Sequence, residues 1–377
     1  MTALRDLLDP YVKEGAVPGA VALLARGGDV ADVTVEAVGS QAVDGAVPMA
    51  RDSIFRIASL TKPITAAAVM LLVDEGRVGL EDPIGRWLPE LAAPMVVRTP
   101  ESPLDDVVPV RRPITVLDLL ANRAGYGWPS DFSLPQVQAL FEVQTDGREV
   151  QRRPAPDEWL ADLARIPLLY QPGEAWLYDT CSDLQGILVA RASGQPLPEF
   201  FAERVFAPLG MRDTGFVVTD RDRLTSYYRR DESGLVLADG PDGDWSLPPA
   251  FPEGSGGLAG TADDWLRFAC MLLADGAGLL SPAAVRLMTT DHLTDAQRAV
   301  GELFLEGQGW GFGGSVDIDT AGPGTIPGRY GWVGGSGTSA HIVPDRGSVA
   351  ILLTQVGMDG PVPTTLFQNF WTFAAEG

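Results

Sequence analysis

The chain has 377 residues, 45% of them hydrophobic, and a formal net charge of −22. That length exceeds what a single core usually sustains, so two lobes are expected, and the apolar content excludes a disordered chain. The acidity argues against nucleic acid or an anionic membrane as partner, since both are bound through basic patches.

In chain order, Leu4, Leu7 and Leu8 alternate with charges as in an amphipathic helix, and no basic segment followed by an apolar stretch marks a leader. No apolar run is long enough to span a bilayer. Residues 17–40 read as two strands joined at Gly27-Gly28. Residues 59–75 read as a helix, with Ser59 as N-cap or first-turn residue, Pro63 within the first turn and Gly76 closing it. Its Ala66–Val73 stretch is apolar all round, which predicts a buried helix. The proline-rich stretch 83–112 is expected to be a long surface loop. Thr115 caps a helix over 114–125, residues 126–156 form a loop with one short helix, and 157–210 hold two or three helices, one of them at 183–194. Thr261, Asp263 and Asp264 open a helix that Gly276 closes. Three strands follow at 308–317, 329–342 and 347–357, and a closing helix at 364–375. Strands at both ends with helices between predict an α/β lobe from residues 1–82 and 225–377, and an inserted, mainly helical lobe from 83–224.

Rare residues carry the chemistry. Of the 28 basic side chains only Lys13 and Lys62 are lysines. Arginine stays protonated, whereas a desolvated lysine can lose its proton and act as a base. Lys62 stands three residues after Ser59 in Ser59-Leu60-Thr61-Lys62, and on a helix such residues share a face. The ammonium nitrogen can therefore reach the serine hydroxyl, and the positive helix end favours a developing alkoxide. Taken alone, the tetrapeptide also fits a capping serine beside a solvated lysine. A Ser-His-Asp triad would need His292 or His341, and neither has a catalytic context. Cys181 and Cys270 form neither a disulfide framework nor a metal cluster. A cytoplasmic protein without metal or organic cofactor is expected, its oligomeric state open.

Several ordered blocks together resemble the penicillin-recognising serine hydrolases: the superfamily of class C β-lactamases, DD-peptidases and family VIII carboxylesterases. FRIASLTKPITAAAVMLLVDEGRVGLEDPI resembles its first signature, ITVLDLLANRAGYG its L-L-x-H-T-S-G segment, QPGEAWLYDTCSDLQGILVARASG its Y-S-N block, and GWVGGSGTSAHIVPD its K-T-G strand. The resemblance implies an antiparallel sheet flanked by helices, an inserted helical lobe, and a site in the cleft between. It also implies catalytic roles for Ser59, Lys62 and Tyr178, with the backbone amides of Ser59 and Gly335 as oxyanion hole.

Departures from the pattern point within the superfamily. Thr180 stands where β-lactamases carry Asn, and Trp332 where they carry the lysine that binds a substrate carboxylate. An indole offers an apolar wall and one N–H instead. Asn122-Arg123 replace His-Thr, and Gly334-Gly335 would let backbone approach the substrate. Trp332, Gly334, Asn122, Thr180 and Tyr126 are thus the candidate substrate-binding residues. Tyr126, Trp128, Trp176 and Trp310 either line an apolar cleft or pack in the core, the commoner fate. Asp183 resembles a position often acidic in the esterases, or is a helix cap; His341 reads as structural. The best reading is a carboxylesterase on small or medium esters. An acyltransferase or amide-forming enzyme is the nearest alternative, a β-lactamase or DD-peptidase the third, and a non-catalytic binding module the reading from another class.

Overall fold

Seven strands form the central sheet, in the order Val33–Gly39, Gly19–Ala25, Ser348–Thr354, Thr338–Val343, Tyr330–Gly334, Ser315–Val316, Gly309–Trp310. Each neighbouring pair is antiparallel. Both chain ends therefore meet in one sheet. The computed structural model describes residues 2–27, 33–43, 45–144 and 152–376.

The run GAVALLA (19–25) is apolar throughout because both sheet faces are covered. Val21, Leu23 and Ala25 face the large core, which holds the helices Thr61–Asp74 and Ala262–Leu273. Ala20, Ala22 and Leu24 face the terminal helices: Leu4 and Leu8 of Ala3–Lys13, and Phe367, Phe370 and Trp371 of Thr365–Glu376. Leu4 and Leu8 lie one turn apart, and burying each contributes roughly 1.5–3 kcal/mol.

Several sequence expectations change in detail. The predicted strands 308–317 and 329–342 are each a hairpin, broken at Gly313 (φ +79°) and at Gly337 (φ +90°). Both glycines sit where a Cβ would strike backbone, at Lys62 O (2.5 Å) and Val356 O (2.2 Å) respectively. The stretch 83–112 is not all loop: Met95–Val97 pairs with Val107–Pro109. Three residues per strand are too few to show alternation. A further hairpin joins Tyr227–Asp231 to Gly234–Asp239. The Thr115 cap is a full capping box, its hydroxyl accepting from Asp118 N–H while Asp118 accepts from Thr115 N–H at 2.9 Å. The turn expected at Gly27-Gly28 is described only up to Gly27, since Gly28 lies outside the described residues.

Candidate active site

Ser59 does not cap its helix. It sits in a short 3-10 turn, Ala58–Leu60, that feeds directly into Thr61–Asp74, with Ala58 at φ +43°. The turn is clamped from three sides. Thr338 Oγ1 donates to Ile57 O at 3.0 Å, Trp265 Nε1 to Leu60 O at 3.4 Å, and Leu258 N–H to Thr61 Oγ1 at 3.3 Å. The freed hydroxyl meets Lys62 Nζ and Tyr178 OH, each at 2.9 Å.

Tyr178 arrives from the other side. A pair of backbone bonds joins it to Trp128, at 2.9 and 3.0 Å, and Phe304 stacks on its ring with centroids 4.7 Å apart. Gly127 (φ +134°) allows this approach, since a Cβ there would lie 2.5 Å from Tyr178 O. Trp332 Nε1 donates to Tyr178 OH at 2.8 Å. The indole expected to wall the substrate cleft is instead buried and holds the tyrosine oxygen.

Lys62 is fully buried within the mainly apolar helix Thr61–Asp74. Its nitrogen has three acceptors: Ser59 Oγ, Ser255 O at 2.8 Å and Asp179 Oδ1 at 2.6 Å. An ammonium has three N–H groups, so all are engaged. Burial by itself would lower the Lys62 pKa, as the sequence implied. Asp179, helped by the Tyr178 phenol and Asp183, more than reverses this and pushes it up to about 12. Lys62 therefore rests as a cation with no lone pair to offer. Asp179 adopts φ +84°, a strained conformation for a non-glycine residue, and its second oxygen accepts from Gln144 Nε2 at 2.7 Å.

Behind Ser255 lies a buried charged cluster. Asp183 is no helix cap: one carboxylate oxygen accepts from Ser255 N–H at 2.9 Å and the other from Arg153 at 3.0 Å. Arg153 also pairs with Glu253 at 3.0 Å, and burial, reinforced by Asp183, lifts the Glu253 carboxyl up to about 8 despite that pairing.

Ser59 and Tyr178 open on a cavity of about 570 Å³. Trp128, Phe132, Phe141 and Phe304 supply its aromatic lining; Gln144, Asp179, Ser255, Gly335 and Asp359 supply its polar parts. Among the described residues no arginine or histidine lines it, and Lys62 stays buried beneath.

Four of the expected binding residues lie elsewhere. Tyr126 is wholly buried and donates to Ile166 O at 2.8 Å. Asn122 is buried at φ +55°, where its carbonyl accepts from Leu177 N–H; the left-handed residue ends a helix rather than meeting substrate. Thr180 is buried and donates to Gln144. Gly334 faces protein, where a Cβ would lie 2.2 Å from Thr338 Oγ1 and 2.4 Å from Ile57 O. Gly335 differs: a Cβ would meet nothing within 4 Å, and Met358 N–H fixes its carbonyl at 2.9 Å. Gly334→Ala is accordingly expected to destabilise the protein by about 1–3 kcal/mol in urea unfolding and to displace the Ser59 turn, while Gly335→Ala leaves stability unchanged. Of the four aromatics, Trp128 lines the cleft, and Trp176 and Trp310 join Tyr126 in the core.

The sequence reading missed Asp179, Gln144, Phe132, Phe141 and Phe304. Asp179 had a signal: a lysine inside an apolar helix needs a counter-ion, and this acid adjoins Tyr178. The others come from segments without periodicity.

A family model described as Beta-lactamase matches residues 4–364. Protein Rv1367c of Mycobacterium tuberculosis is 40% identical over 371 residues, spanning 94% of this chain and 88% of that protein. Esterase EstB of Burkholderia gladioli is 32% identical over 388 residues, spanning 96% of this chain and 93% of its own. Among solved structures, EstCE1, described as a hydrolase with promiscuous acyltransferase activity, superposes with a TM-score of 0.82 at 28% identity, covering 99% of this chain and 97% of that one.

Proposed function

This chain belongs to the Beta-lactamase family, and from that premise we propose that it is a carboxylesterase acting on uncharged, apolar esters through a covalent acyl-Ser59. One observation carries the reading: the Ser59 hydroxyl is bonded to both Lys62 and Tyr178 on the wall of an aromatic cleft whose described lining residues offer no cation to a substrate carboxylate. β-Lactams and D-alanyl peptides bring such a carboxylate. The names of EstB and EstCE1 support ester hydrolysis. The cleft draws Ser59, Ser255, Phe304 and Gly335 from residues 1–82 and 225–377, and Trp128, Phe141, Tyr178 and Asp179 from 83–224, which supports the two-lobe division. Cys181 and Cys270 are not joined in a disulfide, which supports a reducing compartment such as the cytoplasm.

The reactive form of the Lys62–Tyr178 pair holds one proton fewer than the resting form. Every Lys62 N–H is engaged, so in this reading Tyr178, not Lys62, serves as the base. Tyr178 oxygen, held by the Trp332 N–H, takes the Ser59 proton as Oγ bonds the acyl carbon. The Ser59 and Gly335 amides hold the oxyanion. As the ester C–O bond breaks, Tyr178 returns the proton to the leaving alkoxide. Water then repeats the sequence and releases the acid. The Lys62 ammonium stabilises negative charge on both oxygens and is not consumed.

Turnover of p-nitrophenyl esters of graded acyl length, with nitrocefin in parallel, tests the function. Ester cleavage with nitrocefin left nearly intact is expected; preferential nitrocefin cleavage would sink it. Added alcohol tests the acyltransferase reading that the EstCE1 description also supports: product partitioning to the new ester would establish it.

Asp179→Asn tests the assignment of the proton. The wild-type Lys62 stays charged until pH rises through about 12. Removing the carboxylate leaves burial, which lowers the pKa, so Lys62 loses its proton at lower pH. The variant is expected to lose roughly 10²-fold in kcat/KM and to gain an alkaline descending limb absent from the wild type. An ascending limb shifted to lower pH, with activity retained or raised where Lys62 is neutral, would return the base role to Lys62.

A further inference from the structure

A second cavity lies on the sheet face covered by the terminal helices, well apart from the Ser59 cleft in its lining residues. Its volume is about 150 Å³, and its walls include Leu24 and Trp371. Its titratable groups among the described residues are Arg26, Arg329, Arg346 and His341, with no carboxylate among the described lining residues. That is unexpected in a chain with 50 acidic against 28 basic residues.

The four groups differ in what they have free. Arg329 is buried, pairs with Asp317 at 2.7 Å, and lies over the Trp371 ring at 5.2 Å, so its charge is neutralised. His341 is buried and its pKa is lowered well below the usual value, first by burial and then by Arg329, so it contributes polarity without charge. Arg346 is exposed and gives one bond to Ala375 O at 2.9 Å, leaving most of its five N–H donors. Arg26 is exposed and has no ion pair among the described residues. Two guanidinium groups thus stand at the rim of an apolar hollow. Arginine's planar fork matches a carboxylate, and an apolar pocket with a few placed polar groups is the usual form of a small-molecule site. An engineered apolar cavity of about 150 Å³ holds benzene.

We propose that this cavity binds a small apolar monocarboxylate of benzoate size, its carboxylate at Arg26 and Arg346 and its apolar body against Leu24 and Trp371. The site is separate from the esterase cleft, and its existence does not depend on that activity.

Isothermal titration of the full chain with benzoate at low ionic strength tests it. Saturable one-site binding is expected, at least tenfold weaker in the double variant Arg26→Gln/Arg346→Gln, whose exposed positions leave the fold intact by circular dichroism. Phe141→Ala, in the other cleft, should leave the affinity unchanged. Benzyl alcohol and inorganic phosphate should each bind at least tenfold more weakly than benzoate. The proposal is overturned by absence of binding, by an affinity insensitive to the two arginines, by loss of binding in Phe141→Ala, or by phosphate or benzyl alcohol binding as tightly as benzoate.

Discussion

Ser59→Ala is expected to lower kcat on p-nitrophenyl esters by about 10⁴-fold or more, the order seen when a covalent nucleophile is removed. The substitution deletes one oxygen and leaves the surrounding clamps in place: Thr338, Trp265 and Thr61 hold the turn through bonds that do not involve the Ser59 side chain. Lys62 keeps Ser255 O and Asp179 as acceptors. Two hydrogen bonds at a half-buried group are lost, each worth roughly 1 kcal/mol, so unfolding should shift only modestly. The Cys181 thiol is buried, and burial pushes its pKa up to about 12. Active-site phosphonate should label the wild type at Ser59 and leave the variant unlabelled. Esterase turnover retained in a folded, unlabelled variant would refute the acyl-serine scheme.

Tyr178→Phe is expected to cost about 10²–10⁴ in kcat/KM, the range for a positioned general acid–base. The ring's packing survives: Phe304 at 4.7 Å and the Lys62 ammonium at 4.7 Å from the ring centroid both contact the face. What disappears is the oxygen that links Ser59 to Trp332. The buried indole N–H is left unsatisfied, a penalty of about 1–3 kcal/mol that a urea titration should register. A structural role would end there. A proton-transfer role predicts more: p-nitrophenolate departs without a proton, whereas an alkoxide needs one. The loss should therefore be larger for alkyl esters than for p-nitrophenyl esters of the same acid. Equal losses below tenfold for both would remove Tyr178 from the mechanism.

How much of the site was legible is best judged residue by residue. Ser59 and Lys62 share a helix turn, so their spacing fixed their proximity before any fold was known. Tyr178 is 119 positions away from Ser59, and only the resemblance of its block to a family motif brought it in. Trp332 was found by the same route, yet with the wrong duty. A tryptophan's position in a motif does not say which way its N–H points, and the β-strand Tyr330–Gly334 turns it toward Tyr178 rather than the cleft. Gly334 and Gly335 look alike in sequence; one faces the Ile57 carbonyl and the other open space, because Gly334 ends the strand Tyr330–Gly334 while Gly335 lies in the turn that follows.

By itself the sequence determined the elements whose cause is local: the apolar strand 19–25, the buried helix behind Ser59, the Thr115 and Thr261 caps, and the Ser59–Lys62 pair. Each follows from periodicity, capping chemistry or short spacing. Only the tertiary structure decided the charge state of Lys62, because burial and ion pairing push its pKa in opposite directions and the balance rests on a 2.6 Å approach by Asp179. It alone also decided the aromatic wall of the cleft and the arginine-rimmed cavity behind the sheet. Both are assembled from residues far apart in the chain, and no local pattern records where such segments meet.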